Sequence, residues 1–393
     1  MVIVQFNRLL QCGLATLFLL VFGNHLVMGQ LLESMAELYE QDSAADGEME
    51  TLASFFRNRN LGGGVFDWDA NRDKNDHDGG TVIDPSRSYS PQTRWRSTNV
   101  SGTGAWVRRD VGTKFEASWF GALPSAIFSS HGPIQNCVDS AARQGKAAFV
   151  EPGDFAMRNT LELVSNTVLE SGPSTNTLDR ARLRLIQSRR DLVSIGADTD
   201  ANGNPVAATN ITLRGVGLSA RMLNTQTGAM LNIGSDSRNI TIENVHFDGL
   251  VGDDNEPVGG QVSGVRIEGE NIDFVVIDNC DINDAPFALH STAAINRLFI
   301  RKSRITGWTQ VGVRIITPQN PQAVLAPLTS AEDSEDSEDS ECSEDPDPEN
   351  QLIPQVRMVR IFDNVFSEPG TGSGPFARHG IFVSGFGLSL IHI

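Results

Sequence analysis

The sequence predicts an all-β protein: a right-handed, single-stranded parallel β-helix with a short N-terminal β-rich module and a helical arm. Three observations predict it. First, one strand template recurs, in which two apolar residues flank a spacer and a third follows five positions on. It fits Ile211-Thr-Leu213 with Leu218, Ile240-Thr-Ile242 with Phe247, and Val275-Val-Ile277 with Ile282. Leu298-Phe-Ile300 with Ile305 and Val359-Arg-Ile361 with Phe366 continue the series. Second, shorter segments alternate with these: Leu231-Asn-Ile233, Val265-Arg-Ile267, Leu289-His-Ser291, Val313-Arg-Ile315 and Ile381-Phe-Val383. Val265, Leu289 and Val313 stand 24 residues apart. A repeat of roughly 20–30 residues with two or three strands is a solenoid signature, because each coil buries its apolar face only by stacking on the next. Third, Gly, Asn and Asp cluster between the strands and no helical period intervenes, which makes the solenoid a β-helix.

Each element follows in chain order. Residues 1–29 read as a secretory signal, with Arg8 as the lone positive charge, the apolar core Leu14–Phe22 and small residues near Gly29. That core is shorter than the roughly 20 residues of a membrane span. A secreted, extracellular protein is expected, with no membrane span. Residues 30–60 have helical composition, with Glu33, Glu37 and Glu40 interleaved with Met35, Leu38, Phe55 and Phe56. They are expected to form a helical arm that serves in oligomerisation. Over 61–118, short β-prone pieces alternate with Gly, Pro and Ser, the pattern of a small β-rich module. The β-helix is expected over 119–387. It is interrupted at 318–355 by a Ser-Glu-Asp tract with Pro346 and Pro348, a composition that cannot bury a core and predicts disorder. The period resumes at Val359. Residues 388–393 read as a translated sequencing adapter, so the natural chain is expected to continue.

Charge and cysteine usage narrow the function. The chain has 31 basic and 49 acidic residues, a net charge of −18, but 11 of the acids lie between Ser330 and Asn350. The remaining 38 acids against 31 bases leave a mildly acidic protein, not the basic surface of a nucleic-acid binder. The bases are four Lys and 27 Arg; Arg grips carboxylates bidentately. After loss of Cys12 with the signal, Cys137, Cys280 and Cys342 remain, an odd set without the spacing of a disulfide framework.

Trp119-Phe-Gly-Ala122, then Ile134-Gln135, Val138-Asp139 and Ala141-Ala142, then Glu151-Pro-Gly-Asp-Phe155, resemble the opening of the rhamnogalacturonase/epimerase-like pectate lyase domain. The resemblance covers about 115–387 and implies a pectin-lyase-like parallel β-helix acting on polysaccharide. Upstream, Gly62–Trp68, Asp78–Ile83 and Trp106-Val-Arg108 resemble the small β module that precedes such helices in phage tail spikes, which implies a homotrimer. The chain departs from the family where Gly-Asp-Gly becomes Pro124-Ser125-Ala126 and Asp-Asp-Thr becomes Ser129-Ser130-His131. Any role of those acids is therefore not transferred. Ile134, Val138 and Ala141 mark a helix that caps the first coil.

Two outward columns could carry chemistry, since equivalent positions on successive coils stack about 4.8 Å apart. With Val265, Leu289 and Val313 inward, Arg266, His290 and Arg314 point outward in one column, preceded by Asn232 and followed by Phe382. Two guanidiniums beside an imidazole keep it neutral, a base next to carboxylate clamps. That suits lyase or epimerase chemistry on a uronic-acid sugar, in which the base takes the C5 proton. Arg266, His290 and Arg314 are the candidate catalytic residues, with Asn232, Arg301 and Phe382 for substrate binding. The second column, Arg214, Glu243, Asp278 and Arg301, holds two adjacent carboxylates that could be a hydrolase pair, or an ion-pair ladder. A further alternative is a non-catalytic carbohydrate-binding or adhesion β-helix of tail-spike type. No cofactor is required. Ca²⁺ is the one ion the sequence suggests, because Asp67, Asp69, Asn71, Asp73, Asn75 and Asp78 mimic EF-hand spacing. However, Arg72 takes the glycine position there, and an acidic hairpin loop is the simpler expectation. Asp248, Asp253, Asp254 and Glu256 form a second acidic group. Asn244 and Asn279 are expected to stack inward. Arg378-His379-Gly380 is only a fragmentary match to polygalacturonases, and sequons stand at Asn99, Asn210 and Asn239.

Overall fold

A computed structural model of the chain describes residues 30–42, 44–95, 100–172, 179–186, 190–196, 206–220, 228–249, 262–308, 311–316, 358–367, 379–384 and 391–392. The expected leader at 1–29, the acidic insert and Cys342 lie outside the described residues.

Three long parallel sheets, of nine, eight and seven strands, stack as a parallel β-helix. A typical coil runs Arg238–Glu243, His246–Asp248 and Val262–Ile267, one strand on each of the first, second and third sheets in turn. Alternation buries every second side chain. On the first sheet Leu213, Ile242, Ile277, Ile300 and Ile361 pair in register and stack inward, all of them at most 2% exposed. The core is one continuous apolar cluster from Phe115 to Ile361. The period survives the insert, since Arg297–Arg301 pairs directly with Met358–Phe362. Ile391 and His392, in the expected foreign tail, pair with Val359 and Arg360.

The corner between the first and second sheets explains much of the Asn and Gly usage. Gly215, Asn244, Asn279, Lys302 and Asp363 follow equivalent strand ends and all have φ between 51° and 67°. Only a left-handed residue turns the chain sharply enough while its N–H still bonds the next coil, as Asn244 N to Asp278 O at 3.0 Å shows. Asn244 and Asn279 are therefore bend residues rather than an inward ladder; Asn279 is exposed. A real amide ladder stands at another corner, where Asn239 donates to Asn210 and Asn210 to Asn166, each at 3.1 Å. Two of the sequon asparagines are thus already engaged.

The helical arm expected over 30–60 is corrected. It contains one short helix, α1 (Met35–Tyr39), between strands Leu31–Leu32 and Met49–Leu52. Both strands belong to a five-stranded sheet completed by Gly64–Asp73, Thr103–Arg108 and Val82–Ile83. The apolar period is real but serves a sheet core of Leu32, Met35, Leu38, Leu52, Phe66 and Trp106. Helix α2 (His131–Arg143) caps the first coil with Ile134, Val138 and Ala141 buried, as expected.

Two joints lock the module to the β-helix. Arg108 is 4% exposed and lies between Phe66 of the module core and Trp119 of the helix core, 4.6 and 4.8 Å from the ring centres. Arg94 clamps Asp139 of α2 bidentately at 2.7 and 3.1 Å and also bonds Glu162 of the first coil. Gly121, with φ 93°, ends the Trp119-Phe120 turn; a Cβ there would meet the Phe55 ring at 2.5 Å.

Candidate functional site: the Arg-His-Arg column

The third sheet aligns Glu162, Ser194, Asn232, Arg266, His290, Arg314 and Phe382 at successive register positions. Arg266, His290 and Arg314 are therefore direct neighbours across three coils, with Asn232 and Phe382 on either side. Their environments differ sharply.

Arg266 is committed to the protein's own acids. Its Nη2 donates to Asp191 Oδ1 and Oδ2 at 3.0 and 2.9 Å and lies 3.2 Å from Glu268 Oε1. Its Nε donates to Asn232 Oδ1 at 3.2 Å, and Asn232 Nδ2 donates to Glu268 at 3.0 Å. Asn232 is 6% exposed. The sequence reading of Arg266 as a free carboxylate clamp and Asn232 as a substrate ligand is thereby corrected. Two internal carboxylates already occupy the guanidinium fork. Burial pushes the Asp191 carboxyl up, against the pull of Arg266.

His290 is half-buried, and its Nε2 is enclosed without a hydrogen-bond partner among the described residues. The ring stacks on Phe287 at 4.8 Å and 23°. Burial first, then Arg314 and Arg266, hold its pKa below the ordinary histidine value, while Glu268 opposes them. The imidazole is thus neutral, and burial rather than the flanking charges is the larger cause. Arg314 rests its guanidinium 5.5 Å from the Phe287 ring centre and makes no ion pair among the described residues. Phe382 follows, 38% exposed. What remains open to a ligand is the upper end of the column, the Arg314 guanidinium and the exposed Phe382 ring; His290 Nε2 is enclosed and Phe287 is 4% exposed beneath them.

The second column is an ion-pair ladder. Arg214 bonds Glu243 at 2.9 Å and Arg301 bonds Asp278 at 2.7 Å. Neither Glu243 nor Asp278 is free as a hydrolytic acid, and Arg301 is engaged rather than open to substrate. One oxygen, Asp278 Oδ1, stays buried without a partner.

The calcium-like spacing is also corrected. Asp67, Asp69, Asn71 and Asp73 lie on the strand Gly64–Asp73, not in a loop. Asp67 is gripped by Arg109 at 2.8 and 2.7 Å, and Asp73 caps a short turn. Among the described residues no three His, Cys, Asp or Glu gather as a metal site. Asp253, Asp254, Glu256 and Arg378 lie outside the described residues. Cys137 and Cys280 are free and buried. No helix of the described residues is long and apolar enough to cross a membrane.

Three residues that shape the column were missed in the sequence. Glu268 was legible, since it stands two positions from Arg266 and shares its side of the chain. Phe287 was legible only from the stacking geometry. Asp191 carried no signal, being 75 residues from the side chain it holds.

A family model described as the phage tail protein small four-stranded beta-sheet domain matches residues 31–111, the module. No curated protein sequence matches the chain. Among solved structures the chain is similar to full-length tailspike protein 2 from Escherichia coli O157:H7 bacteriophage CAB120. The identity is 18%, the TM-score 0.55, and the match covers 77% of this chain and 36% of that one. The enzymatically active domain of bacteriophage CBA120 tailspike protein 4 gives 14% identity, TM-score 0.46 and coverages of 75% and 38%. The A-module of the Azotobacter vinelandii mannuronan C-5 epimerase AlgE6 gives 14%, 0.39, 64% and 65%. The chain thus spans little more than a third of the two tailspikes' lengths, and at these identities the likeness is one of fold. The conclusion the geometry and the tailspike match share is a parallel β-helix, preceded by a small β module similar to the phage tail protein small four-stranded beta-sheet domain.

Proposed function

We propose that the protein binds an acidic extracellular polysaccharide on the third sheet, at Arg314 and His290. One observation carries this reading: next to a neutral, half-buried imidazole stands an arginine that makes no ion pair among the described residues, followed by the exposed Phe382. Neighbouring outward charges neutralise one another in Arg94 with Glu162, Arg266 with Asp191 and Glu268, and, on the first sheet, Arg214 with Glu243, Asp278 with Arg301 and Asp273 with Arg297. A guanidinium with an open fork takes a sugar carboxylate bidentately, and the exposed Phe382 offers an apolar face. Tail-spike-type binding needs no more than this. A lyase step is the second reading, favoured by the neutral imidazole that Arg314 adjoins. His290 would take the C5 proton, the C4–O4 bond would break with solvent water protonating the departing O4, and a C4–C5 double bond would form, with Arg314 neutralising the carboxylate. Secretion and a homotrimer belong to the same proposal, supported by the leader-like composition of residues 1–29 and by the module.

Calorimetric titration with hexagalacturonate and hexamannuronate tests it. Arg314→Ala is expected to weaken binding by about tenfold, the worth of a charged hydrogen bond, and to leave neutral hexasaccharides unaffected. Unchanged affinity in Arg314→Ala sinks the site. Release of unsaturated uronate by the parent and not by His290→Ala distinguishes the lyase from a binder.

A further inference from the structure

We infer a second carbohydrate subsite, in the cleft between the module, the amino end of α2 and the first coil, selective for a carboxylated sugar. It shares with the proposed function only the class of ligand and does not require the column. The cleft encloses about 340 Å³ and is lined by Gln92, Phe128, His131, Arg158 and Asn159, with small residues between them. Ligand sites run from about 300 to 1,000 Å³, so this one suits one or two sugar units.

Its wall is a finger built to stay exposed. Ser125 pairs with Phe155 and Ser129 with Ala156, so the three residues between are extruded from the ladder. Ser125 Oγ accepts the N–H groups of Ile127 and Phe128 at 3.2 and 3.1 Å. Ser130 Oγ donates to Leu123 O at 2.9 Å and secures the base. Ile127 and Phe128 are nonetheless 73% and 67% exposed. Burial of such side chains is worth about 1.5–3 kcal/mol each, and a finger pinned so that it forgoes that burial presents a platform for a partner.

The opposite wall supplies the charge. Arg158 is exposed and makes no ion pair among the described residues. Of the lining residues it alone is charged: burial holds His131 below its ordinary pKa, and its Nε2 donates to Thr160 O at 2.9 Å. Asn159 is oriented by a second guanidinium, Arg190, at 3.1 Å. In a chain of net charge −18, a cleft whose only formal charge is positive selects an anionic group. A carboxylate on Arg158 with the sugar's C–H face on Phe128 satisfies both walls.

The test titrates the full chain with hexagalacturonate, hexamannuronate and the carboxyl-reduced, neutral hexagalactoside. Arg158→Gln is expected to weaken the acidic probes by about tenfold, the loss of one charge-assisted contact, and to leave the neutral probe unchanged. Phe128→Ser is expected to weaken all three. Both residues are exposed, so the fold is spared. Variants within twofold of the parent, or no saturable binding of either acidic probe, overturn the subsite. Arg314→Ala separates the two sites. Loss there with parent-like Arg158→Gln leaves the column and removes the cleft; the reverse keeps the cleft and removes the column.

Discussion

Arg108 offers a direct measure of how the module is joined to the β-helix. The buried guanidinium donates to Gly63 O at 2.6 Å, Gly62 O at 2.9 Å and Gly80 O at 3.2 Å, and no carboxylate among the described residues pairs with it. Burial pushes its pKa down to about 10, so it stays charged at neutral pH. Against the ordinary value of 12.5, that depression corresponds to a desolvation cost of about 3 kcal/mol. Three hydrogen bonds to a charged donor contribute about 1.5–3 kcal/mol each, and the Phe66 and Trp119 faces about 1–2 kcal/mol more. Truncation to Ala removes the desolvation cost together with these contacts, and it strands three buried carbonyls. A net loss of about 3–5 kcal/mol results. Arg108→Lys retains the charge but can reach only part of the carbonyl set, so it should fall between the two. Calorimetry and urea unfolding followed by tryptophan fluorescence read the outcome, because Trp68, Trp106 and Trp119 report on the two cores. The Ala variant is expected to split one transition into two, with the module melting first. A single transition shifted by less than about 1 kcal/mol would refute the view that Arg108 is the joint.

Two further predictions concern the scaffold. His77 is 3% exposed, its Nδ1 accepts from Asp84 N at 3.1 Å, and its Nε2 faces Tyr39 Oη at 3.5 Å. Burial, aided by Arg87 and opposed by Asp78 and Asp84, lowers its pKa to about 4. The unfolded chain therefore takes up a proton that the folded chain refuses as pH falls from 6.5. Stability present above pH 6.5 should decline by about 3 kcal/mol on reaching pH 4. His131 and His290 slope the same way, so the reading is the difference from His77→Gln between pH 6.5 and 5; parallel curves refute it. Lys302, exposed, sits at φ 51° where equivalent corners carry Gly, Asn or Asp. A left-handed L-residue costs roughly 1–2 kcal/mol, and Asn tolerates the region best after Gly. Lys302→Asn should raise the melting temperature by about 1–3 °C and Lys302→Val should lower it; a fall in the Asn variant contradicts the corner rule.

The coil stack was legible because its cause is local. Alternation places Ile242 inward whatever its neighbours do, and stacking demands the same of Ile277 and Ile300. The column register was legible for the same reason, since equal spacing from 265 to 289 to 313 leaves one alignment. What those outward residues bond was not legible. Asp191 reaches Arg266 through a corner whose path no periodicity describes. The arm was misread because α1 and its flanking strands share apolar residues, and strand pairing with Gly64–Asp67 outcompetes a second turn of helix. Likewise the calcium-like spacing of Asp67, Asp69 and Asn71 is the two-residue period of one strand face. The Trp119-Phe-Gly motif that carries the family resemblance proves to be a joint, with Trp119 on Arg108 and Gly121 against Phe55. It therefore specifies the fold and is silent on activity.

In a stacked solenoid an outward charge has a cheap partner about 4.8 Å away on either side, so a column left to itself tends to neutralise. Arg214 with Glu243, Asp278 with Arg301, and Asp154 with Arg182 at 2.6 Å show that tendency on two sheets. Arg266 satisfies it by a longer reach to Asp191. Against this background, Arg314 and Arg158 are informative because no partner among the described residues offsets them; Arg314 lies over the Phe287 ring, and Arg158 lines the cleft whose other wall carries Phe128. The net charge of −18 and the insert that dominates it describe the chain's solubility. Ligand chemistry is proposed instead at two of the arginines that the ladders leave over. Arg158 lies at the corner after the second-sheet strand Gly153–Met157, and Arg314 lies on the sixth strand of the third sheet, so a polysaccharide long enough to touch both would have to run along the stack rather than across it.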